Sequence, residues 1–274
     1  MKITNSYDLT GKVIIVTGGA GLLGREYTLS LIDEGAKVVV ADIDDQATDQ
    51  FMQTLNTKAK KQVLAIKTNV SEKTSVENMV MQTLITFGQI DGLVNNAALD
   101  PKFDGSESQN DLTFENYPLE LWNKSLEVDI TGMFLCTQAV APTMLKQGGG
   151  VIVNMSSIYG MVGPDQRLYE HDDPDAIKTF KPVTYSVTKS AVYGLTKYLA
   201  SYWAGKDIRV NTLTLGGVFN NHDIGFTSRY AMRTPLGRMA DRSEVSGALL
   251  FLLSKASSYM TGSNLVVDGG WTVW

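Results

Sequence analysis

The feature that most constrains the fold is a regular alternation of short apolar runs with longer amphipathic stretches. Seven runs rich in Val, Ile and Leu are bounded by turn residues, which is typical of strands in a parallel sheet buried on both faces. They span residues 12–17, 37–42, 62–67, 91–96, 150–155, 207–214 and 263–269. Helical patterns fill the gaps at 22–34, 45–59, 73–87, 118–146, 184–204 and 242–255. This order predicts an α/β fold, a single doubly wound domain over 1–274 with a seven-stranded parallel sheet and helices on both faces.

Composition and charge exclude several classes of protein. The net charge of −5 gives no reason to expect nucleic acid or an anionic membrane as a partner. Cys136 is the only cysteine, which rules out an internal disulfide and fits a reducing cytoplasm. Residues 1–11 lack the apolar core of a signal peptide, and the apolar run 248–253 is too short to cross a bilayer. We therefore expect a soluble, cytoplasmic protein.

Three long polar segments interrupt the alternation, at 99–117, 159–182 and 217–240. Each follows a predicted strand at its carboxyl end, where open α/β sheets bind their ligands. Long loops at this edge are commonly functional, although a plain surface excursion is the alternative for each of them. We expect the substrate to bind among these loops.

The stretch TGGAGLLG, residues 17–24, lies between the first predicted strand and the first predicted helix. Gly18, Gly21 and Gly24 permit a tight turn, and the amides at the helix start can approach a pyrophosphate. Two spacings fit: TG-x-x-G-x-x-G as it stands, or TG-x-x-x-G-x-G with Leu22 in place of the middle glycine. The strand–turn–helix context predicts a dinucleotide site.

Asp42, at the end of the second predicted strand, bears on which dinucleotide binds. A carboxylate there can accept hydrogen bonds from both adenosine ribose hydroxyls, and it repels a 2′-phosphate. Ile43 and the two aspartates after it supply no cation for that phosphate, so NAD is favoured over NADP. Arg25 is open to two interpretations, as a phosphate ligand near the turn or as a solvated residue of the first helical turn.

YSVTK, residues 185–189, places Tyr185 and Lys189 one helical turn apart on one face. A cation at that position stabilises tyrosinate and lowers the tyrosine pKa, which makes the phenol a usable acid or base. The same spacing recurs at Tyr193 and Lys197. Eight helical residues rotate by roughly 80° beyond two full turns, so both pairs cannot face one site. Spacing alone does not choose between them.

Together, these motifs resemble the short-chain dehydrogenase/reductase superfamily over essentially the whole chain. TGGAGLLG, Asp42, NNAA (95–98), NMSS (154–157), YSVTK, RVN (209–211) and VDGG (267–270) occur in the expected order. The glycine spacing is similar to the extended branch, but NNAA and the short C-terminus resemble the single-domain branch. The resemblance implies a Rossmann-type fold, a nicotinamide cofactor and a homotetramer or homodimer formed through helices 118–146 and 184–204.

The resemblance also implies roles for individual residues. Tyr185 would be the general acid/base, and Lys189 would lower its pKa and bind the nicotinamide ribose. Ser157, rather than Ser156, would hold the substrate oxygen, and Tyr193 would be a packing or interface residue. Cofactor-binding residues would be Gly18, Gly21, Leu22, Leu23, Gly24, Asp42, Ile43, Asn69, Val70, Asn96, Ala97, Tyr185, Lys189, Gly216 and Val218.

Three departures from the family pattern bear on the chemistry. Asp129 stands where the family usually has its fourth catalytic residue, an asparagine that works largely through its backbone carbonyl. Asp129 is the predicted catalytic residue there: its carbonyl would preserve that role, whereas its charge would alter the proton relay. Leu215 replaces the usual proline after the sixth strand. Ser157 and Tyr185 are 28 residues apart, because the segment 159–182 is inserted between them.

Charged side chains in two of the loops allow competing interpretations. His171 lies among carboxylates in the insertion, but one histidine without helical spacing favours a solvated acidic loop over a metal site. Arg229 and Arg233 could clamp a phosphate or carboxylate, or form ordinary surface ion pairs. We expect no metal.

These observations predict an NAD(H)-dependent oxidoreductase that interconverts a secondary alcohol and a ketone. WNKSLEVDITGMFLC and the long insertion are similar to members linked to surface-sugar and flagellin modification, which suggests a small, polar, sugar-derived substrate. Two alternatives remain open. A nucleotide-sugar epimerase or dehydratase would return its NAD without net turnover, and a regulator that binds cofactor without catalysis would explain Asp129 and Leu215.

Overall fold

The computed structural model describes residues 6–99, 113–170 and 179–274. Its strands form one parallel sheet in the order β3-β2-β1-β4-β5-β6-β7. They are β1 Val13–Thr17, β2 Lys37–Asp42, β3 Val63–Lys67, β4 Gly92–Asn95, β5 Gly150–Ser157, β6 Ile208–Leu215 and β7 Asn264–Val267. Strand order reverses direction beside β1, which creates the crevice where doubly wound sheets bind their ligands. The predicted seven-stranded parallel sheet is confirmed.

Helices connect the strands. They are α1 Leu22–Asp33, α2 Asp45–Thr54, α3 Thr57–Lys60, α4 Lys73–Phe87, α5 Leu119–Leu126, α6 Gly132–Gln147, α7 Val183–Tyr202, α8 Ile224–Arg233 and α9 Ser246–Leu253.

The sheet is covered on both faces, and the strand sequences show why. Successive side chains of a strand point to opposite faces. In β1, Ile14 and Val16 pack with α1 and α9 residues such as Leu31 and Leu249. Val13 and Ile15 pack on the other side, in the core that contains residues of α4 and α6. A strand buried on both faces needs apolar residues at every position, which is why these runs lack the alternation of a half-exposed strand.

The predicted helix over 45–59 is wrong, because two helices replace it. Leu55 is extended (φ −74°, ψ 138°) and ends α2. The Asn56 side chain then accepts hydrogen bonds from the amides of Lys58 and Ala59, which starts α3. An asparagine that caps a new helix competes with continuation of the old one.

The predicted helix over 118–146 is interrupted by a π-helical turn at Glu127–Thr131, which joins α5 to α6. Such turns occur often at functional sites, and this one contains Asp129. By length and composition alone, the helical segment Leu119–Gln147 could cross a membrane. Its side chains Cys136, Val140 and Met144 are fully buried in the core beside the sheet, as in a core helix.

Candidate active site

The glycine turn between β1 and α1 is shaped by close backbone contacts. Gly18 has a positive φ of 61°, and a Cβ there would lie 2.9 Å from the Ala97 Cα. A Cβ on Gly24 would lie 2.2 Å from the Gly18 carbonyl oxygen. Gly21 precedes α1 and brings no capping side chain. The first amides of α1 therefore have no helical acceptor, which suits the binding of an anion such as pyrophosphate.

Asp42 is held beside this turn. Its Oδ2 accepts from the Ala20 amide at 2.9 Å and its Oδ1 from the Asp44 amide at 3.0 Å. Arg25 instead donates to the carbonyls of Ala20 (2.6 Å) and Ala47 (3.1 Å). The guanidinium is thus engaged with backbone acceptors, which favours a structural role over a phosphate ligand.

The NNAA residues connect neighbouring strands. Asn96 Nδ2 donates to the carbonyls of Thr17 and Gly18 at 2.9 and 3.0 Å. Asn95 Nδ2 donates to Thr137 Oγ1 and Asn154 Oδ1. These bonds fix the glycine turn against β4, and Asn96 also lines the cavity described next.

A cavity of about 330 Å³ opens at the carboxyl ends of β4, β5 and β6. Among the predicted site residues it is lined by Leu22, Leu23, Asn96, Ser157, Tyr185, Lys189, Gly216 and Val218. The structure thus brings the Ser–Tyr–Lys set together with one end of the glycine turn. Gly18, Gly21, Gly24, Asp42 and Ala97 lie next to that end, in or beside the turn.

The two serines of NMSS have different partners. Ser156 Oγ donates to the Lys189 carbonyl at 2.8 Å, which ties β5 to α7. Ser157 ends β5, and its Oγ accepts from the Tyr159 amide at 3.3 Å. Gly160 then passes so close to α7 that a Cβ would lie 2.6 Å from the Lys189 carbonyl carbon. This contact sets Ser157 and Lys189 on adjoining walls of the cavity.

The two YxxxK pairs of α7 lie in different surroundings. Tyr185 and Lys189 line the cavity, and Lys189 Nζ is 5.7 Å from the Tyr185 ring centroid. Tyr193 Oη makes hydrogen bonds with Thr214 Oγ1 (2.9 Å) and the Ser157 carbonyl (3.3 Å), and Lys197 is exposed.

A second cation, Lys181, lies over the Tyr185 ring, with Nζ 3.8 Å from the ring centroid. This is a close cation–π contact. Lys181 precedes α7 at the end of the inserted segment. Its amide donates to Gln166 Oε1 at 2.9 Å, and its carbonyl accepts from Gln166 Nε2 at 3.4 Å.

Aromatic side chains form the remaining wall of the cavity. Tyr159 packs edge-on against Tyr185, with centroids 6.4 Å apart, and Tyr230 stacks on Trp271 at 4.4 Å. Burial raises the pKa of Tyr159 and raises the pKa of Tyr230 to about 12. Both phenols are therefore protonated near neutral pH.

Helix α8 lies inside the predicted loop 217–240 and was missed. Asp223 caps it by accepting from the Phe226 amide, and its apolar face carries Phe226 and Tyr230, which line the cavity. In the sequence, the signal for this helix was the helical spacing of Phe226 and Tyr230 after a capping aspartate.

The two arginines of α8 hold it against the inserted segment. Arg229 donates to the carbonyls of Leu168 (3.2 Å) and Glu170 (2.5 Å), and Arg233 pairs with Asp165. Neither residue lines the cavity. The ion pair of Arg233 and the backbone contacts of Arg229 favour a structural role over a substrate clamp.

Asp129 lies behind the cavity rather than in its lining. Its side chain is 3% exposed; Oδ1 accepts from the Leu99 amide at 2.7 Å and Oδ2 from Thr188 Oγ1 at 2.8 Å. Thr188 belongs to α7 and directly precedes Lys189, and Leu99 starts the 99–117 loop. The carboxylate therefore joins α7 to the start of that loop. An asparagine side chain could accept from the Leu99 amide through Oδ1, but it would have to donate to Thr188 Oγ1 through Nδ2.

The remaining predicted residues surround the cavity or the turn. Ile43 is exposed after β2, and Asn69 after β3 donates to Glu72 at 2.7 Å. Val70 is buried against Gly132, and a Cβ on Gly132 would lie 2.7 Å from Val70 Cγ2. Leu215, which replaces the usual proline, pairs with Ser157 and Val267 as the last residue of β6.

The predicted substrate loops 159–182 and 217–240 supply further cavity residues that were not assigned to the site individually: Tyr159, Tyr169, Lys181, His222, Phe226, Tyr230 and Met239. Lys181, four residues before Tyr185, was detectable by the same spacing as Lys189. Within the described ranges, no group of three or more His, Cys, Asp and Glu side chains is arranged to hold a metal ion. His171, Asp172, Asp173 and Asp175 lie outside those ranges.

Two family models match the chain. The short chain dehydrogenase model covers residues 12–169, and the enoyl-(acyl carrier protein) reductase model covers residues 175–272.

Characterised relatives align over nearly their whole lengths. A 2,5-dichloro-2,5-cyclohexadiene-1,4-diol dehydrogenase from Sphingobium indicum is 34% identical, covering 97% of this chain and 98% of the relative. An NAD-dependent glycerol dehydrogenase from Listeria innocua is 30% identical (97% and 96%). Post-translational flagellin modification protein A from Campylobacter coli is 29% identical (96% and 99%).

Solved structures agree with the fold. A short chain dehydrogenase from Leptospira borgpetersenii with bound NAD+ has a TM-score of 0.83 and 30% identity, covering 97% of this chain and 95% of the other. A gluconate 5-dehydrogenase from Burkholderia cenocepacia in complex with NADP and tartrate has a TM-score of 0.84 and 26% identity, with 98% of each chain covered. The chain belongs to the short-chain dehydrogenase/reductase family, and it is an oxidoreductase of that family.

Proposed function

We propose that the chain is a single catalytic unit that interconverts a secondary alcohol and a ketone with NAD(H), using Tyr185 as the acid/base. The observation that carries this proposal is the shared cavity of Ser157, Tyr185 and Lys189 beside the glycine turn. When bound, NAD supplies the hydride acceptor.

In the oxidative direction, the Tyr185 phenolate accepts the proton of the substrate hydroxyl. Ser157 Oγ donates a hydrogen bond to the substrate oxygen and orients it. Lys189 stabilises the phenolate by its charge, and it would hold the nicotinamide ribose when NAD is bound. Asp129 acts as a positioning residue through Thr188. In reduction, Tyr185 returns the proton to the ketone oxygen.

The proposal includes a preference for NAD over NADP. Asp42 presents acceptor oxygens beside the turn, and Arg25, the cation that directly follows the turn glycines, is engaged with backbone carbonyls. Binding of the adenosine would involve the turn glycines, Leu22, Leu23, Asp42, Ile43, Asn69 and Val70, with Asn96, Ala97, Gly216 and Val218 nearer the nicotinamide.

The proposed substrate is a small polar alcohol such as a sugar derivative. The cavity is lined by both polar groups and aromatic rings, and aromatic rings pack well against the C–H faces of polyols. Relatives that act on glycerol or a cyclic diol, and the flagellin-modification relative, support this choice.

We further propose a cytoplasmic homodimer or homotetramer that associates through α5–α6 and α7. Tyr198 and Tyr202 on α7 stack 5.8 Å apart and are 63% and 67% exposed. Exposed apolar clusters of this kind mark interfaces. Light scattering of purified protein would give the mass, and a Tyr198→Ser, Tyr202→Ser double variant should reduce it.

The activity is tested by a turnover screen with NAD and, separately, NADP. The panel contains polyols, sugars, sugar phosphates and nucleotide sugars, and the readout is absorbance of reduced nicotinamide. NADH formation that disappears in Tyr185→Phe supports the proposal. Sugar conversion without net NADH would instead support the epimerase or dehydratase function, and tight NAD binding without any turnover would support a regulator.

A further inference from the structure

Four aromatic rings from separate parts of the chain pack together beside the cavity. Tyr230 of α8 stacks on Trp271, with ring centroids 4.4 Å apart. Trp271 packs edge-on against Tyr159 at 6.5 Å, and Tyr159 packs edge-on against Tyr185 at 6.4 Å. Ring contacts therefore connect Trp271, in the segment after β7, with the proposed acid/base.

Trp271 lies behind two of these rings. It is 7% exposed and belongs to the same buried cluster as Tyr159 and Tyr230. The described part of the cavity lining includes the two tyrosines but not the indole. An effect of Trp271 on a bound alcohol would therefore pass through the tyrosine rings.

The turn that presents Trp271 is fixed by one carboxylate. Asp268 Oδ1 accepts from the Gly270 amide at 2.8 Å. Asp268 Oδ2 accepts from the Thr272 amide at 2.9 Å and from Thr272 Oγ1 at 2.7 Å. These bonds close a tight turn on both sides of Trp271 in sequence, so the position of the indole is set by the backbone around it.

The same segment also contacts α8 near its C-terminal end. Trp274 Nε1 donates to the Arg233 carbonyl at 3.3 Å, and the Arg233 guanidinium carbon lies 5.7 Å from the Trp271 ring centroid. The Tyr230 phenol accepts from the Gly217 amide at 2.5 Å. Helix α8 is thus held by two sets of contacts, from the segment after β7 and from the loop after β6.

From these contacts we propose that Trp271 is a positioning residue of the substrate site. The indole fixes the Tyr230 and Tyr159 rings, and these rings set the width of the cavity beside Tyr185. Because protein interiors are close-packed, a smaller residue behind this wall allows both tyrosines to shift. The inference rests on the proposed function and adds residues 268–274 to the parts of the chain that shape the substrate site.

Steady-state kinetics with NAD and the alcohol identified by the screen test the role in substrate binding. Trp271→Leu should raise KM for the alcohol about tenfold and change kcat by no more than about threefold, because the wall moves while the Ser–Tyr–Lys set stays in place. KM for NAD should stay within about twofold of wild type. Trp271→Phe, which keeps a ring stacked on Tyr230, should retain most of the wild-type affinity for the alcohol.

Trp203→Leu is the matched control. Trp203 is as deeply buried as Trp271, but it belongs to the core cluster that contains residues of α4 and α6. Its substitution should destabilise the fold and leave KM for the alcohol unchanged. An equal rise of KM in Trp203→Leu and Trp271→Leu would show a general effect of lost stability and would overturn the inference.

A double-mutant cycle tests whether Trp271 acts through Tyr230. Tyr230→Leu changes a residue of the cavity lining and should itself raise KM for the alcohol. In that background, Trp271→Leu should raise KM by less than about threefold, because the ring that it positions is already absent. Fully additive effects would overturn the route through Tyr230.

Hydrogen exchange of the protein without ligands tests the same contacts independently of turnover. The amides of α8 should exchange about tenfold faster in Trp271→Leu and stay within about threefold of wild type in Trp271→Phe and Trp203→Leu. If Trp271→Leu does not fold, Asp268→Asn takes its place, because it loses an acceptor of the turn that presents the indole, and the same directions are expected.

The two readouts distinguish failure of this inference from failure of the proposed function. Absence of turnover by wild type with every alcohol of the screen would overturn the proposed function, and the difference in exchange at α8 would still be expected. Unchanged exchange at α8, or faster exchange with an unchanged KM for the alcohol, would overturn the role of Trp271.

Discussion

The two YxxxK pairs of α7 present the same motif in two environments. Tyr185 and Lys189 line an open cavity with Ser157, whereas Tyr193 uses its phenol to join Thr214 and the Ser157 carbonyl, and Lys197 is exposed. The pairs differ only by helical rotation, which turns one toward the cavity and the other toward β5 and β6. The comparison shows that an accessible phenol beside a cation, rather than the motif, defines a candidate acid/base.

Removal of the lysine charge should produce the largest difference in activity between the two YxxxK pairs. Lys189→Met should lower kcat by about 10²–10⁴-fold, the usual range for acid–base catalysis, because the Tyr185 phenolate loses its stabilising charge. The acid limb of the pH–rate profile for oxidation should move to higher pH, since a phenol without the cation ionises at higher pH. Lys197→Met should retain wild-type kcat and profile, and an equal loss in both variants would contradict the assignment.

Ser156 and Ser157, which are neighbours at the end of β5, form a second pair of like residues with different partners. Ser157→Ala should lower kcat by about 10²-fold, because one preorganised donor to the substrate oxygen is removed. Ser156→Ala removes the hydrogen bond to the Lys189 carbonyl, so its main effect should be a loss of about 1 kcal/mol in unfolding free energy. Steady-state kinetics and urea titration of both variants distinguish these outcomes, and a reversed pattern would exchange the roles.

Substitution of Asp42 should affect cofactor binding without affecting the reaction at Tyr185. Asp42→Ala should raise KM for NAD by about tenfold through loss of a charged acceptor, and it should improve the relative use of NADP because a repulsive charge is gone. The kcat at saturating NAD should change little. An unchanged ratio of NAD to NADP use would show that Asp42 does not select the cofactor.

The smallest catalytic effect is expected at Asp129. Asp129→Asn can accept from Leu99 through Oδ1 and donate to Thr188 Oγ1 through Nδ2, so unfolding free energy should fall by only about 1 kcal/mol through loss of the charge-assisted bonds. The kcat should stay within about fivefold if the carboxylate acts only by positioning α7. A far larger loss of kcat with unchanged stability would place the Asp129 charge in the proton relay.

Much of the fold followed from local pattern. Continuous apolar runs identified the strands, and the turn glycines, Asp42 and the YSVTK motif were placed correctly at strand ends or helix starts. The break at Asn56 and the π turn at Asp129 were not predicted, because capping competition and tertiary packing override helical periodicity there. Local spacing could have drawn attention to Lys181, Phe226 and Tyr230, but their place in the cavity lining depends on long-range contacts between the two loops.

The most direct test of the account is a single-turnover measurement with NAD and the substrate identified by the screen, on Tyr185→Phe and Tyr193→Phe side by side. Tyr185→Phe should lose the NADH signal by at least about 10²-fold while it still binds NAD, since the proton acceptor is absent. Tyr193→Phe should form NADH at nearly the wild-type rate. Near-normal NADH formation by Tyr185→Phe, or its loss only in Tyr193→Phe, would contradict the assignment of Tyr185 as the acid/base.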